Sequence, residues 1–101
     1  MNEKRVALIT GGTRGIGKKI AEEFAKHGYN LVINYVSDNT DTYQIAKEIK
    51  QNTDEDLEIL FVKNDVTDYQ SCEELVKQAV EQFGTIDVLV NNAGITKDNL
   101  L

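Results

Sequence analysis

Short, continuous apolar runs alternate along this chain with longer stretches whose apolar positions recur every three or four residues. The runs are Val6–Thr10, Leu31–Tyr35, Leu57–Lys63 and Ile86–Val90. Unbroken runs of this length predict strands covered on both faces, as in a parallel sheet. Between the first two, Gly15–His27 sets Ile16, Ile20, Ala21, Phe24 and Ala25 on one stripe, which predicts an amphipathic helix. Gly28 follows as its closing C′ residue. Asp41–Lys50 predicts a second helix, with Ile45, Ala46 and Ile49 inward and Thr40 or Asn39 as the N-cap. A third, Tyr69–Phe83, should bury Leu75, Val76, Ala79, Val80 and Phe83, between an Asp68 N-cap and Gly84. Ser71 and Glu74 stand at capping-box spacing. Asn52–Asp56 reads as a polar loop, and Leu100 and Leu101 as the start of a further helix. The order βαβαβαβ implies an α/β fold with a parallel sheet and right-handed crossovers.

Composition narrows the function. The chain has 101 residues, room for one domain spanning 1–101. Acidic residues outnumber basic ones, 17 to 11, for a net charge of −6. That balance argues against nucleic acid or an anionic membrane as the main partner. No apolar run approaches the roughly 20 residues of a membrane span, and the first residues lack a signal-peptide core. A single cysteine forbids an intrachain disulfide, so a reducing cytoplasm is the expected location. With no proline, helix ends rest on glycine and Asx signals.

The candidate chemistry lies in Gly11-Gly12-Thr13-Arg14-Gly15-Ile16-Gly17, between a strand and a helix. A glycine loop there lets the backbone approach a pyrophosphate, and the helix N-terminus offers N–H groups and a positive dipole end. Gly11 suits the tight turn, Gly15 the approach to phosphate and Gly17 close helix–strand packing. The rival motif is a nucleoside-triphosphate loop, since Gly12-x-x-x-x-Gly17-Lys18 matches most of it. Lys19 stands where that motif needs Ser or Thr for Mg²⁺, and Lys18 and Lys19 continue the solvent-facing side of the helix. Beyond the second strand, Tyr35, Val36 and Ser37 carry no carboxylate to bind a ribose 2′-hydroxyl, although Asp38 lies close by. Arg14 can supply a charge-assisted bond to a 2′-phosphate, so NADP is expected over NAD. His27, in the last turn of a helix, reads as structural, as does Cys72; no Cys/His cluster suggests zinc, and Asp54, Glu55 and Asp56 read as a solvated loop.

A strand running into Gly11-xxx-Gly15-x-Gly17 resembles the short-chain dehydrogenase/reductase family. The resemblance extends from Lys4 to Leu101, and includes Asn91-Asn92-Ala93-Gly94 at all four positions of a family motif. The run from Asn91 to Leu101 is similar to the 3-oxoacyl-[acyl-carrier-protein] reductase branch; acetoacetyl-CoA reductases look similar as well. The resemblance implies the N-terminal half of a Rossmann-type doubly wound sheet, strand order 3-2-1-4. It implies that Asp65 and Val66 contact the adenine, that the Asn91–Asn92 amides tie strands together, and that Ala93 and Gly94 pass close to the nicotinamide ribose. The implied cofactor-binding set is Gly11, Thr13, Arg14, Gly15, Ile16, Gly17, Tyr35, Val36, Ser37, Asp65, Val66, Asn92, Ala93, Gly94 and Ile95.

For a whole reductase the resemblance implies NADPH-dependent reduction of a 3-oxoacyl thioester, with acyl carrier protein as partner. The family's Ser, Tyr, Lys and catalytic Asn lie beyond the matched region. No catalytic residue is therefore assigned, and Tyr43 with Lys47, on the second helix, is set aside. These residues alone are expected to be inactive. A non-catalytic nucleotide-binding or self-associating fragment is the alternative of a different class. The predicted topology leaves the fourth strand at an edge and one sheet face with a single helix, so self-association is expected.

Overall fold

The computed structural model describes residues 4–51, 53 and 56–93. Its elements alternate strictly: β1 (Val6–Ile9), α1 (Gly15–Lys26), β2 (Asn30–Tyr35), α2 (Thr42–Lys50), β3 (Ile59–Lys63), α3 (Tyr69–Phe83) and β4 (Val88–Val90). The strands form one parallel sheet in the order β3-β2-β1-β4. Pairing sets the strand ends. Val88 lies opposite Ala7 and Ile59 opposite Leu31, so the runs expected from Ile86 and Leu57 enter the ladder two residues later. Leu57 and Ile86 still serve the core, on opposite faces. Thr10 falls outside β1, yet its N–H extends the ladder to the Val90 carbonyl at 3.1 Å.

Alternate residues of β1 feed two cores. Ala7 and Ile9 pack with Ala21, Ala25, Leu31, Ile33 and Ile49 under α1 and α2. Val6 and Leu8 pack with Val32, Val62, Leu75 and Ala79 under α3. The small side chains of Ala21 and Ala25 let α1 lie close to the sheet. Asp87 ties β4 to the start of β1: its carboxylate accepts from the Val6 N–H at 2.8 Å, and its own N–H reaches the Val6 carbonyl at 2.9 Å.

Four expectations about the helices are corrected. The α2 N-cap is Asp41, whose Oδ1 accepts from the Gln44 N–H at 3.1 Å. Asn39 and Thr40 belong to the preceding turn, their N–H groups donating to Ser37. At α3, Ser71 forms no capping box with Glu74. Its N–H and hydroxyl both donate to the N-cap carboxylate of Asp68, and Glu74 accepts from Gln78 instead. Finally, Val76 and Val80 are not buried: they are 46% and 44% exposed, and Leu89, which lines the same cavity as Val76, is 55% exposed. Among the described residues α3 is the one helix on its face, and its Leu75–Ala79 line takes the contact with the sheet. Ile16 likewise stands out to solvent rather than on the buried stripe. The expected start of a helix at Leu100 and Leu101 lies outside the described residues.

These burials predict unequal costs along one helix. Leu75→Ala should destabilise by about 2–5 kcal/mol through transfer and cavity terms. Val76→Ala, half exposed one residue away, should cost under about 1 kcal/mol. Urea unfolding of the two variants checks this; equal losses would contradict the described packing of α3.

Candidate functional site

The C-terminal ends of the strands converge on the glycine loop. Gly11 and Gly15 adopt φ of +64° and +60°, a left-handed conformation that costs other residues about 1–2 kcal/mol. Gly17 is required for space: a β-carbon there would collide with the Gly11 carbonyl oxygen and stand 2.5 Å from Asn92 Nδ2. Among the described residues nothing lies within 4 Å of the position a β-carbon would take at Gly15. Arg14, at the N-cap of α1, is exposed and makes no side-chain capping bond, and the first turn holds no acidic residue. Those N–H groups and the positive dipole end suit an anion. The cradle therefore fits a pyrophosphate in both shape and field.

Buried polar groups fix this loop. The Thr10 hydroxyl oxygen accepts from the N–H groups of Asn92 and Ala93, each at 2.9 Å. Asn92 Nδ2 donates to the Gly11 carbonyl at 3.0 Å, so the end of β4 is bound to the loop. Asn34, only 1% exposed, works from β2. Its Oδ1 accepts from the Gly11 N–H at 3.1 Å, and its carbonyl accepts from Gly12 at 3.2 Å. Its Nδ2 donates to the Asn64 carbonyl at 2.9 Å and to Asn64 Oδ1 at 2.7 Å. Asn64 Nδ2 then donates to the Ser71 carbonyl in the first turn of α3. Sequence reasoning passed over Thr10, Asn34 and Asn64. The signal was an amide inside an apolar run: a strand buried on both faces carries such a group only when it is fully bonded.

A cavity of about 510 Å³ opens beside the loop on the α3 face. It brings together Gly11, Tyr35, Val36, Asp65, Val66 and Ala93 of the predicted set, with Asn34, Cys72, Leu75 and Leu89. Ile16 and Gly15 border a different hollow on the outer side of α1, and Thr13, Arg14, Gly17, Ser37 and Asn92 do not line the cavity. Gly94 and Ile95 lie outside the described residues. Asp65 Oδ1 accepts from the Thr67 hydroxyl at 2.7 Å and the Thr67 N–H at 3.0 Å. These two bonds hold its carboxyl below the usual range. The Cys72 thiol donates to the Val66 carbonyl at 2.9 Å, a structural role.

Lys18, expected to face solvent, is instead ion-paired with Glu48 and fastens α1 to α2. The Lys18 ammonium, then Gln44, holds Glu48 below the usual carboxylate range. Tyr43 and Lys47 do have Tyr-xxx-Lys spacing, but position decides against them. Both are exposed on α2, the ammonium lies 5.8 Å from the ring centre, and neither lines the cavity. Among the described residues no group of three or more His, Cys, Asp or Glu could hold a metal, and no helix is long and apolar enough to cross a membrane.

The short chain dehydrogenase family profile matches residues 5–101. The 3-oxoacyl-[acyl-carrier-protein] reductase FabG of Staphylococcus epidermidis is 44% identical over 95 residues, which are 94% of this chain and 38% of that protein. A crystal structure of a 3-oxoacyl-[acyl-carrier protein] reductase from Brucella melitensis in complex with NAD superposes with a TM-score of 0.79 at 34% identity, over 94% of this chain and 35% of that one. The L-sorbose reductase of Gluconobacter frateurii, complexed with NADPH and L-sorbose, gives 0.80 at 32% identity, over 98% of this chain and 38% of that one. The chain thus spans about two fifths of the length of the relatives it matches.

The glycine geometry predicts a graded response. Gly17→Ala should cost about 1–3 kcal/mol, because backbone must move to admit the methyl group. Gly15→Ala, with no described neighbour around it, should cost only the left-handed penalty of about 1–2 kcal/mol. Asn34→Leu strands the Gly11 N–H and the Asn64 acceptors, and should cost at least about 1–3 kcal/mol. Urea titration of the three variants gives the order; a neutral Gly17→Ala would contradict the close approach of α1 to the loop.

Proposed function

The chain belongs to the short-chain dehydrogenase family, and from that premise we propose that it forms the NADP-binding part of a reductase acting on 3-oxoacyl-[acyl-carrier-protein]. One observation carries the reading. An uncapped helix N-terminus and an open glycine loop adjoin a cavity at the C-terminal ends of the strands, with an exposed arginine at the helix start. In this reading Gly11, Thr13, Arg14, Gly15, Ile16 and Gly17 surround the pyrophosphate and 2′-phosphate. Tyr35, Val36 and Ser37 face the adenosine ribose, and Asp65 and Val66 the adenine. Asn92 and Ala93, with Gly94 and Ile95, border the nicotinamide ribose. NADP is supported by Arg14 and by the lack of a carboxylate at Tyr35-Val36-Ser37.

The acyl carrier protein substrate is supported by the likeness to the staphylococcal reductase and by the match from Asn91 to Leu101. When bound, the cofactor supplies a hydride to the carbonyl carbon. The residues here bind and orient it; the proton donor is not among those described. Such a reductase belongs to the cytoplasm. The 101 residues alone should therefore bind nucleotide without reducing acetoacetyl thioesters. Turnover that copurifies with them, with full-length enzyme excluded, would overturn this part of the reading.

A second reading, self-association, is favoured by the exposed Val76 and Val80 of α3 and by the exposed Leu89 of β4, a strand that among the described strands has one neighbour only. Apolar patches and unpaired edges invite a partner. Sedimentation of the 101 residues at micromolar concentration should show dimers or larger species, reduced by Leu89→Lys. A monodisperse, cooperatively unfolding monomer would refute it.

Arg14→Ala tests the cofactor assignment. Losing a bond to a charged group costs roughly 1.5–3 kcal/mol, about ten- to hundredfold in affinity. NADPH should weaken by that factor, and NADH much less, in fluorescence titrations. Equal weakening of both would refute the assignment.

A further inference from the structure

Asp38 is the acidic residue that follows the end of β2, where a carboxylate favours a ribose 2′-hydroxyl and opposes a 2′-phosphate. In this structure that carboxylate is engaged. The β2–β3 register sets Lys63 opposite Tyr35, the last residue of β2, and from there the Lys63 ammonium bonds and ion-pairs with Asp38. The bond and the charge together hold Asp38 below the usual carboxylate range and Lys63 above the usual lysine range. A groove lined by Val36, Lys63, Asn64 and Asp65 lies at the same place, and Val36 and Asp65 also line the larger cavity.

We propose that Lys63 is a specificity-determining residue of the dinucleotide site: it occupies the Asp38 carboxylate, and it can pass its ammonium to a 2′-phosphate. The proposal rests on the dinucleotide reading given above. The exchange is physically open. The side chains of Lys63 and Asp38 are 48% and 83% exposed, and an ion pair in water is held weakly. A lysine ammonium on its flexible stem can turn to a phosphate carrying more charge than the carboxylate. With Lys63 in place, the Asp38 carboxylate is paired with an ammonium. Without Lys63, Asp38 is free to accept from a 2′-hydroxyl and to repel a 2′-phosphate. A plain surface tether between the β2 and β3 ends would not distinguish the two cofactors.

The test is a set of NADPH and NADH affinities, by fluorescence titration, for the unaltered protein, Lys63→Met, Lys63→Arg and Asp38→Asn. Lys63→Met should weaken NADPH by about tenfold or more and leave NADH unchanged or tighter. Lys63→Arg should keep the NADPH preference. Asp38→Asn should tighten NADPH and not NADH. The preference should shrink as salt is raised, since the charges involved are exposed. If Lys63→Met shifts both cofactors by the same factor, the proposal is overturned while the dinucleotide reading stands. If the unaltered protein binds neither cofactor, that reading falls, and the proposal with it.

Discussion

Helix α1 can meet the sheet at the glycine loop only because Gly17 has no side chain. The Gly11 carbonyl and the Asn92 amide already occupy the space a β-carbon would need. This one close approach fixes the rest of the C-terminal edge. It brings the helix N-terminus down onto the end of β1. It sets the Gly11 carbonyl where Asn92 can bond it from β4, and leaves the Gly11 N–H to Asn34 on β2. The turn that continues β1 is thereby bonded to the ends of β2 and β4. A loop held this way can present N–H groups to an anion without first becoming ordered, which lowers the entropic cost of binding.

The two faces of the sheet are served unequally, and that asymmetry positions the cavity. α1 and α2 cover one face together, fastened by the Lys18–Glu48 pair. α3 covers part of the other, and its Leu75 and Ala79 take the sheet contact while Val76 stays open beside Leu89. The order β3-β2-β1-β4 reverses direction between β1 and β4. Open α/β sheets leave a crevice at such a reversal, outside the carboxyl ends of the strands. The cavity lined by Thr10, Gly11, Asn34 and Ala93 is that crevice, with an apolar wall contributed by the α3 face.

Polar side chains at the strand ends work as connectors. Thr10, Asn34 and Asn64 are bonded to backbone or to one another, and among the described residues no buried side-chain polar atom lacks a partner. The chain Gly11–Asn34–Asn64–Ser71 links the loop to the start of α3 across two strands. The glycine loop and the wall of the neighbouring cavity are thereby parts of one bonded framework.

Local pattern by itself determined the order of elements, the parallel sheet, the two cores and the helix ends at Gly28 and Gly84, because periodicity and left-handed glycines act within a few residues of chain. It also marked the glycine loop, whose spacing records a backbone constraint. Other features depended on groups far apart in sequence. Register, not apolar run length, decided where β3 and β4 begin. Among the described residues α3 is the one helix on its face, and Val76 and Val80 are exposed although they sit on the same periodic stripe as Leu75 and Ala79. Which Asx residue capped α2 depended on the turn that Ser37 makes with Asn39 and Thr40. The partners of Asn34, Lys18 and Asp38 could be known only once the sheet order and helix packing brought Asn64, Glu48 and Lys63 beside them. A side chain's spacing is written along the chain, but its bonds depend on what folding sets against it.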